Sequence, residues 1–174
     1  HADGVTLMTS VPVDRLAITY PVAAEDYFGK SKLSAFLSWF LINLLLIPRK
    51  RDDKNPKRDP IFILDSYLKN GKSLIFFPEG SRGKAGKIQV FKKGLGYLMK
   101  ENMNIPIVPV YLEGIGRVLP KGNKIMLPGI TKIYFGNPIF LENESVEEIV
   151  EKAENAVHDL KNRCDNNNSS NLRE

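Results

Sequence analysis

The chain has 174 residues, 43% of them hydrophobic and 26% charged, which is typical of a globular domain with a core of its own. One cysteine excludes an internal disulfide, and one cysteine with two histidines supplies no metal-ligand cluster, so no metal is expected. The formal net charge of +5 favours anionic partners, such as phosphorylated metabolites or an anionic lipid surface.

The first part of the chain predicts helices that alternate with buried strands. A short helix is expected over residues 3–10, a strand over 16–20, a helix over 56–70 and a second strand over 73–77. The boundaries follow from turn residues and prolines between the apolar runs.

Residues 33–47 form an uncharged, apolar stretch that ends at Pro48. Its fifteen residues are fewer than the ~20 that a membrane span needs. We expect a helix that runs into a short strand near residues 45–47. Basic residues flank the stretch on both sides, as is typical of a segment at an anionic membrane interface. A helix in the protein core explains the same stretch equally well.

The second part predicts a helix over residues 93–102, strands over 107–111 and 131–135, and a closing helix over 145–163. Ser145 and Glu148 have the spacing of a capping box at the start of that last helix. Strands that alternate with helices predict an α/β fold, with a mostly parallel or mixed central sheet flanked by helices.

The chain end has a different composition. Residues 164–174 are polar and are expected to be a disordered tail, which leaves residues 1–163 as one domain.

The loop after the strand over 73–77 carries the clearest chemical signal. Ligands of α/β folds lie beyond the carboxyl ends of strands, and this loop occupies such an end. Gly80 can adopt the positive φ that brings backbone N–H groups close to a ligand. The Ser81 hydroxyl and the Arg82 guanidinium can hold a phosphate, and Glu79 can hold Arg82 in place or bind a substrate hydroxyl. An ordinary charged turn is the alternative interpretation.

Positive charge collects around this loop. Residues 80–100 contain six basic side chains and no acidic one, and Lys92 and Lys93 lie near the start of the next predicted helix, where anions are favoured. A solvated surface is the alternative interpretation. Nucleic acid is not expected as a partner, because the chain has no nucleic-acid-binding motif.

Four segments, in order, resemble motifs of the lysophosphatidic acid and glycerol-3-phosphate acyltransferases. They are Leu-Ile-Pro-Arg at residues 46–49, Phe-Pro-Glu-Gly-Ser-Arg at 77–82, Phe-Lys-Lys-Gly at 91–94 and Ile-Pro-Ile-Val-Pro-Val at 105–110. The resemblance implies a glycerolipid acyltransferase-like fold. It also implies transfer of a fatty acyl group from acyl-CoA or acyl carrier protein to the hydroxyl of a lysophospholipid, with 1-acyl-glycerol-3-phosphate as the expected acceptor.

Further expectations follow from the same resemblance. The reaction belongs to phospholipid biosynthesis, needs no cofactor, and takes an acyl thioester donor and a phosphorylated lipid acceptor. The protein is expected at a membrane surface, on its cytoplasmic face. The residues that match the family's acceptor-binding positions are Arg49, Glu79, Gly80, Ser81 and Arg82.

The family's catalytic motif is Asn-His, then four residues, then Asp. The His is the general base for the acceptor hydroxyl, and the Asp orients it. Here His1 and Asp3 are only two positions apart. Asp3 matches the catalytic Asp, His1 matches a spacer position, and the base is expected three residues before His1. A catalytically incomplete lipid- or phosphate-binding domain of a larger protein is the alternative.

Overall fold

The structure, a computed structural model, describes residues 2–27, 43–49, 55–81, 87–114 and 131–170. It divides into two compact units, His1–Phe77 and Pro78–Glu174. The predicted apolar helix before residue 43 lies outside the described residues.

The first unit is a parallel sheet with helices packed on it. In chain order its elements are α1 (Ala2–Thr9), α2 (Val13–Leu16), β1 (Thr19–Ala24), β2 (Leu45–Ile47), α3 (Pro60–Lys69) and β3 (Ser73–Ile75). The described strands lie in the order β2-β1-β3, and both pairings are parallel. The buried side chains among the described residues of this unit include Leu7, Met8, Thr19, Pro21, Val22, Leu44, Leu45, Leu64 and Leu68.

The central strand β1 starts later than predicted and runs through a proline. Residues 13–16 form the short helix α2, and the Thr19 hydroxyl donates to the Arg15 carbonyl at 2.9 Å just before the strand. Pro21 is the last residue of β1 in register with β3, and Val22 is the first in register with β2. The missing N–H of Pro21 therefore falls where one ladder ends and the other begins.

The helix predicted over 56–70 is divided at Asp59. Pro56–Arg58 form a 3-10 turn, and Asp59 is extended, because a residue before a proline avoids the helical conformation. Its carboxylate then caps α3 by accepting the Ile61 N–H at 2.8 Å. The helix buries Leu64 at 1% exposure, and so its apolar face covers the sheet.

The second unit contains α4 (Gly94–Lys100), the antiparallel strands β4 (Val110–Glu113) and β5 (Lys132–Phe135), and α5 (Val146–Ser170). The strand predicted over 107–111 is broken at Pro109, which has no N–H to donate. Ile107 pairs with Ile139 in an isolated bridge, and the Pro109 carbonyl accepts the Gly136 N–H at 2.9 Å. The same two chain segments therefore pair before and after Pro109.

The closing helix α5 begins as predicted and ends later. The Ser145 N–H donates to Glu148 Oε2 at 2.7 Å, and the Glu148 N–H donates to Ser145 Oγ at 3.3 Å, which confirms the capping box. The helix runs on to Ser170, beyond the predicted end at Arg163 and into the stretch predicted as a disordered tail. Burial explains the first residue past the predicted end, because Cys164 is fully buried and continues the stripe of Ile149, Ala153 and Leu160 on the inner face.

The α/β fold class with a parallel sheet flanked by helices is confirmed. Among the helices that the structure describes, none combines the length and the hydropathy of a membrane-crossing segment.

Candidate functional site

Asp3 lies in the first turn of α1, a helix held against the central strand of the first unit. Gly4 is buried, and a Cβ built on it would lie 3.5 Å from the Pro21 Cβ, so the helix backbone comes close to β1. Leu7 and Met8 anchor the same helix in the core. The backbone at Asp3 is therefore held in place, and its side chain is half-buried. This arrangement suits a carboxylate that orients a catalytic base. His1 lies outside the described residues.

Arg49 follows β2 at the carboxyl edge of the parallel sheet. Its Nε donates to Asp26 Oδ2 at 2.5 Å, and Asp26 belongs to the 3-10 turn that directly follows β1. Because parallel strands end at the same edge, β1 and β2 deliver the two side chains to one place. The pair is exposed to solvent, so it contributes little stability. A phosphate, which a guanidinium can bind through two N–H groups, can therefore replace the carboxylate.

Sequence reasoning missed the carboxylates at this edge. Glu25 precedes Asp26 and accepts from the Arg58 guanidinium at 2.9 Å, so two adjacent acids each bind an arginine. A signal in the sequence could have indicated this contact: an acidic residue follows β1 and a basic residue follows β2, and the two strands are parallel neighbours. The sequence does not state which strands pair, and the signal was therefore not usable.

In the second unit, residues 78–81 form a closed turn. The Lys92 N–H donates to the Pro78 carbonyl at 2.9 Å and joins the two ends of the loop. Gly80 has a φ of +64°, which confirms the predicted left-handed conformation. The Ser81 hydroxyl donates to Gln89 Oε1 at 3.2 Å. Arg82 lies outside the described residues.

The positions of the predicted site residues divide between the two units. Asp3 and Arg49 belong to the first unit, and Glu79, Gly80 and Ser81 are neighbours in one turn of the second. The helix that follows the turn is shorter than predicted and begins at Gly94. Lys92 and Lys93 thus precede it.

The single cysteine, Cys164, is buried on α5 and contacts Tyr134 of β5. Burial raises the pKa of the Cys164 thiol, which lowers the fraction of reactive thiolate. Its hydrogen bond with Tyr134 raises the pKa of that hydroxyl, which donates to Glu113 Oε2 at 3.1 Å. These contacts join α5 to the strand pair. In the part of the chain that the structure describes, no group of three or more His, Cys, Asp or Glu side chains is arranged to hold a metal ion.

Comparison with known proteins places the chain in a protein family. Residues 1–113 match the family described as Acyltransferase. A chloroplastic 1-acyl-sn-glycerol-3-phosphate acyltransferase of Brassica napus is 31% identical over 121 residues, which are 67% of this chain and 35% of the relative. The enzyme of the same name from Pseudomonas aeruginosa is 30% identical over 87 residues, 50% of this chain and 33% of the relative. The chain thus spans about a third of the length of these relatives.

A solved structure has the same fold. The crystal structure of the 1-acyl-sn-glycerophosphate (LPA) acyltransferase PlsC from Thermotoga maritima matches with a TM-score of 0.56 and 23% sequence identity. The match covers 83% of this chain and 57% of that chain.

Proposed function

The chain belongs to the acyltransferase family, and from this premise we propose that it transfers a fatty acyl group from a thioester to the hydroxyl of a phosphorylated lipid. The proposed acceptor is 1-acyl-glycerol-3-phosphate, the substrate in the names of its relatives. The proposed donor is acyl-CoA or acyl carrier protein, and the product is a phosphatidic acid for phospholipid biosynthesis.

The proposed reaction needs a base and a site for the acceptor. A base takes the proton of the acceptor hydroxyl, the oxygen attacks the thioester carbonyl, the C–S bond breaks and the thiol leaves with a proton. Asp3 is proposed to orient an imidazole base and to stabilise its charged form. The helix α1 fixes the position of this carboxylate by its contact with β1.

The observation that carries the proposal is the turn over residues 78–81. Gly80 is left-handed there, and the Lys92 N–H closes the turn on the Pro78 carbonyl. A turn of this kind can direct backbone N–H groups toward an anion, and the Ser81 hydroxyl adds a further donor. Arg82 is the proposed cationic ligand of this turn, and Arg49 is a proposed acceptor-binding residue on the motif resemblance alone.

We expect thiol release from acyl-CoA to depend on the acceptor's phosphate. The chain, and the chain extended upstream through its natural sequence, would receive lysophosphatidic acid or a monoacylglycerol with the same acyl group. We expect kcat/KM to be at least ~10-fold higher with the phosphate, as charge-assisted hydrogen bonds predict. Arg49→Ala should remove this preference, while Arg15→Ala, which changes an exposed arginine before β1, should keep it.

Two other outcomes of this assay have clear meanings. Equal rates with both acceptors would contradict the proposed acceptor. Binding of lysophosphatidic acid without thiol release in either form of the chain would support a lipid- or phosphate-binding domain in place of an enzyme.

Gly80→Ala is expected to raise the KM for the phosphorylated acceptor roughly 10-fold, because a left-handed conformation costs an L-residue ~1–2 kcal/mol and the turn would relax. The added Cβ would also meet the Lys92 side chain at 3.1–3.3 Å. Gly71→Ala is the matched control, since Gly71 has a φ of +70° and open space around its Cβ position. It should lower the thermal midpoint and leave the KM unchanged. Equal KM values for both variants would show that the turn does not bind the acceptor.

A membrane surface is the further proposed partner, with the protein on the cytoplasmic face. The support is the uncharged stretch over 33–47 and its basic flanks. Cosedimentation of the chain with anionic and with neutral vesicles tests this partner, and equal, weak binding to both would contradict it.

A further inference from the structure

We propose that Lys92 is a phosphate-binding residue of the turn over residues 78–81, and that its neighbour Lys93 is not. The inference rests on the proposed function, since it names a further ligand for the acceptor's phosphate. The two lysines are adjacent in the sequence and occupy different environments in the second unit.

Lys92 contacts the turn through both its backbone and its side chain. Its N–H donates to the Pro78 carbonyl at 2.9 Å. A Cβ built on Gly80 would lie 3.1 Å from the Lys92 Cδ and 3.2 Å from its Nζ. The absence of a side chain on Gly80 thus lets the ammonium lie directly against the backbone of the turn.

Lys93 is engaged elsewhere. Its Nζ donates to Glu147 Oε1 at 2.7 Å, in the first turn of α5. The hydrogen bond to this carboxylate raises the pKa of Lys93 and lowers that of Glu147. The described contact of the Lys93 side chain is therefore with α5, whereas the Lys92 side chain lies beside the turn.

Charge and geometry together identify the ligand class. The turn combines the Lys92 ammonium, the left-handed Gly80 and the Ser81 hydroxyl. These groups complement a compact anion with several acceptor oxygens, such as a phosphate monoester. A lysine contributes a point charge that does not require a fixed approach angle. Lys92 therefore supplies positive charge, and the backbone of the turn supplies directed donors.

The test compares Lys92→Met with Lys93→Met in the extended chain. Lys92→Met should raise the KM for lysophosphatidic acid about 10-fold, the loss expected for one charge-assisted contact, so that the preference for this acceptor over monoacylglycerol falls by a similar factor. Lys93→Met should keep the KM within about twofold, because the described contact of Lys93 is with Glu147. It should change the thermal midpoint only slightly, since an exposed ion pair contributes little. Lys92→Arg should restore most of the affinity, because the charge is kept.

The outcomes separate this inference from the proposed function. If the unchanged protein prefers the phosphorylated acceptor and both methionine variants keep that preference, Lys92 is not a ligand and the proposed function stands. If the unchanged protein shows no preference for the phosphate, the proposed acceptor fails and the inference fails with it. A phosphate-specific loss in Lys93→Met that equals the loss in Lys92→Met would also overturn the distinction.

Discussion

Asp3→Asn is expected to lower kcat about 1,000-fold or more in the chain extended upstream, because an amide neither stabilises a charged imidazole nor enforces the correct tautomer. The change is nearly isosteric, and α1 is anchored by Gly4, Leu7 and Met8, so the helix should remain in place. The loss should fall on kcat and leave the KM for the acceptor nearly unchanged. Steady-state thiol release measures both constants, and the thermal midpoint checks the fold.

Asp14→Asn is the matched control for this prediction. Asp14 also lies in the first turn of a helix, α2, but it is exposed, and its ion pair within the described part of the chain is with its neighbour Arg15, at 3.4 Å. The variant should keep kcat within about twofold, since an exposed pair of this kind contributes little. An Asp3→Asn protein with nearly full activity would mean that Asp3 is not the orienting acid and that the match to the catalytic motif is wrong.

Local rules explain the features that the sequence predicted well. The capping box of Ser145 and Glu148 joins residues three positions apart, and its hydrogen bonds do not depend on the rest of the fold. The left-handed Gly80 is a similar case, since only glycine adopts this conformation without cost. The division of the predicted helix at Asp59 follows from Pro60 and was available from the sequence as well.

Tertiary contacts decided the features that the sequence did not predict. The helix α5 continues past Arg163, where Cys164 is buried on its inner face, and the polar composition of the chain end does not indicate this contact. Arg49 and Asp26 are 23 positions apart and meet only because β1 and β2 pair in parallel. Lys92 and Lys93 are equivalent in the sequence and become distinct through Gly80 and Glu147.

The contact between α4 and α5 leads to the largest expected effect on stability. A Cβ built on Gly96 would lie 2.3 Å from the Val146 carbonyl oxygen and 2.8 Å from the Val146 Cγ1. In an unconstrained helix, Gly→Ala would gain up to ~1 kcal/mol. Here the Cβ would displace backbone at the start of α5, where the capping box of Ser145 and Glu148 closes the first turn.

Gly96→Ala is therefore expected to lower the free energy of unfolding by about 3 kcal/mol, the upper range for overpacking a core. Gly94→Ala is the matched control in the same helix, because nothing lies within 4 Å of its Cβ position. That variant should be as stable as the unchanged chain or more stable by up to ~1 kcal/mol, through a lower entropy of the unfolded state. Urea unfolding followed by circular dichroism measures the midpoint, with an unchanged slope showing that the unfolded states are comparable.

A Gly96→Ala chain as stable as its parent would show that α4 and α5 do not approach as closely as the structure indicates. That result would also weaken the structural role of Lys93, because α4 begins at the next residue and its contact with α5 brings Lys93 to Glu147. The assignment of Lys92 does not depend on this packing, because its contacts are with Pro78 and Gly80. A change at Gly96 thus tests the structural role of Lys93 separately from phosphate binding at Lys92.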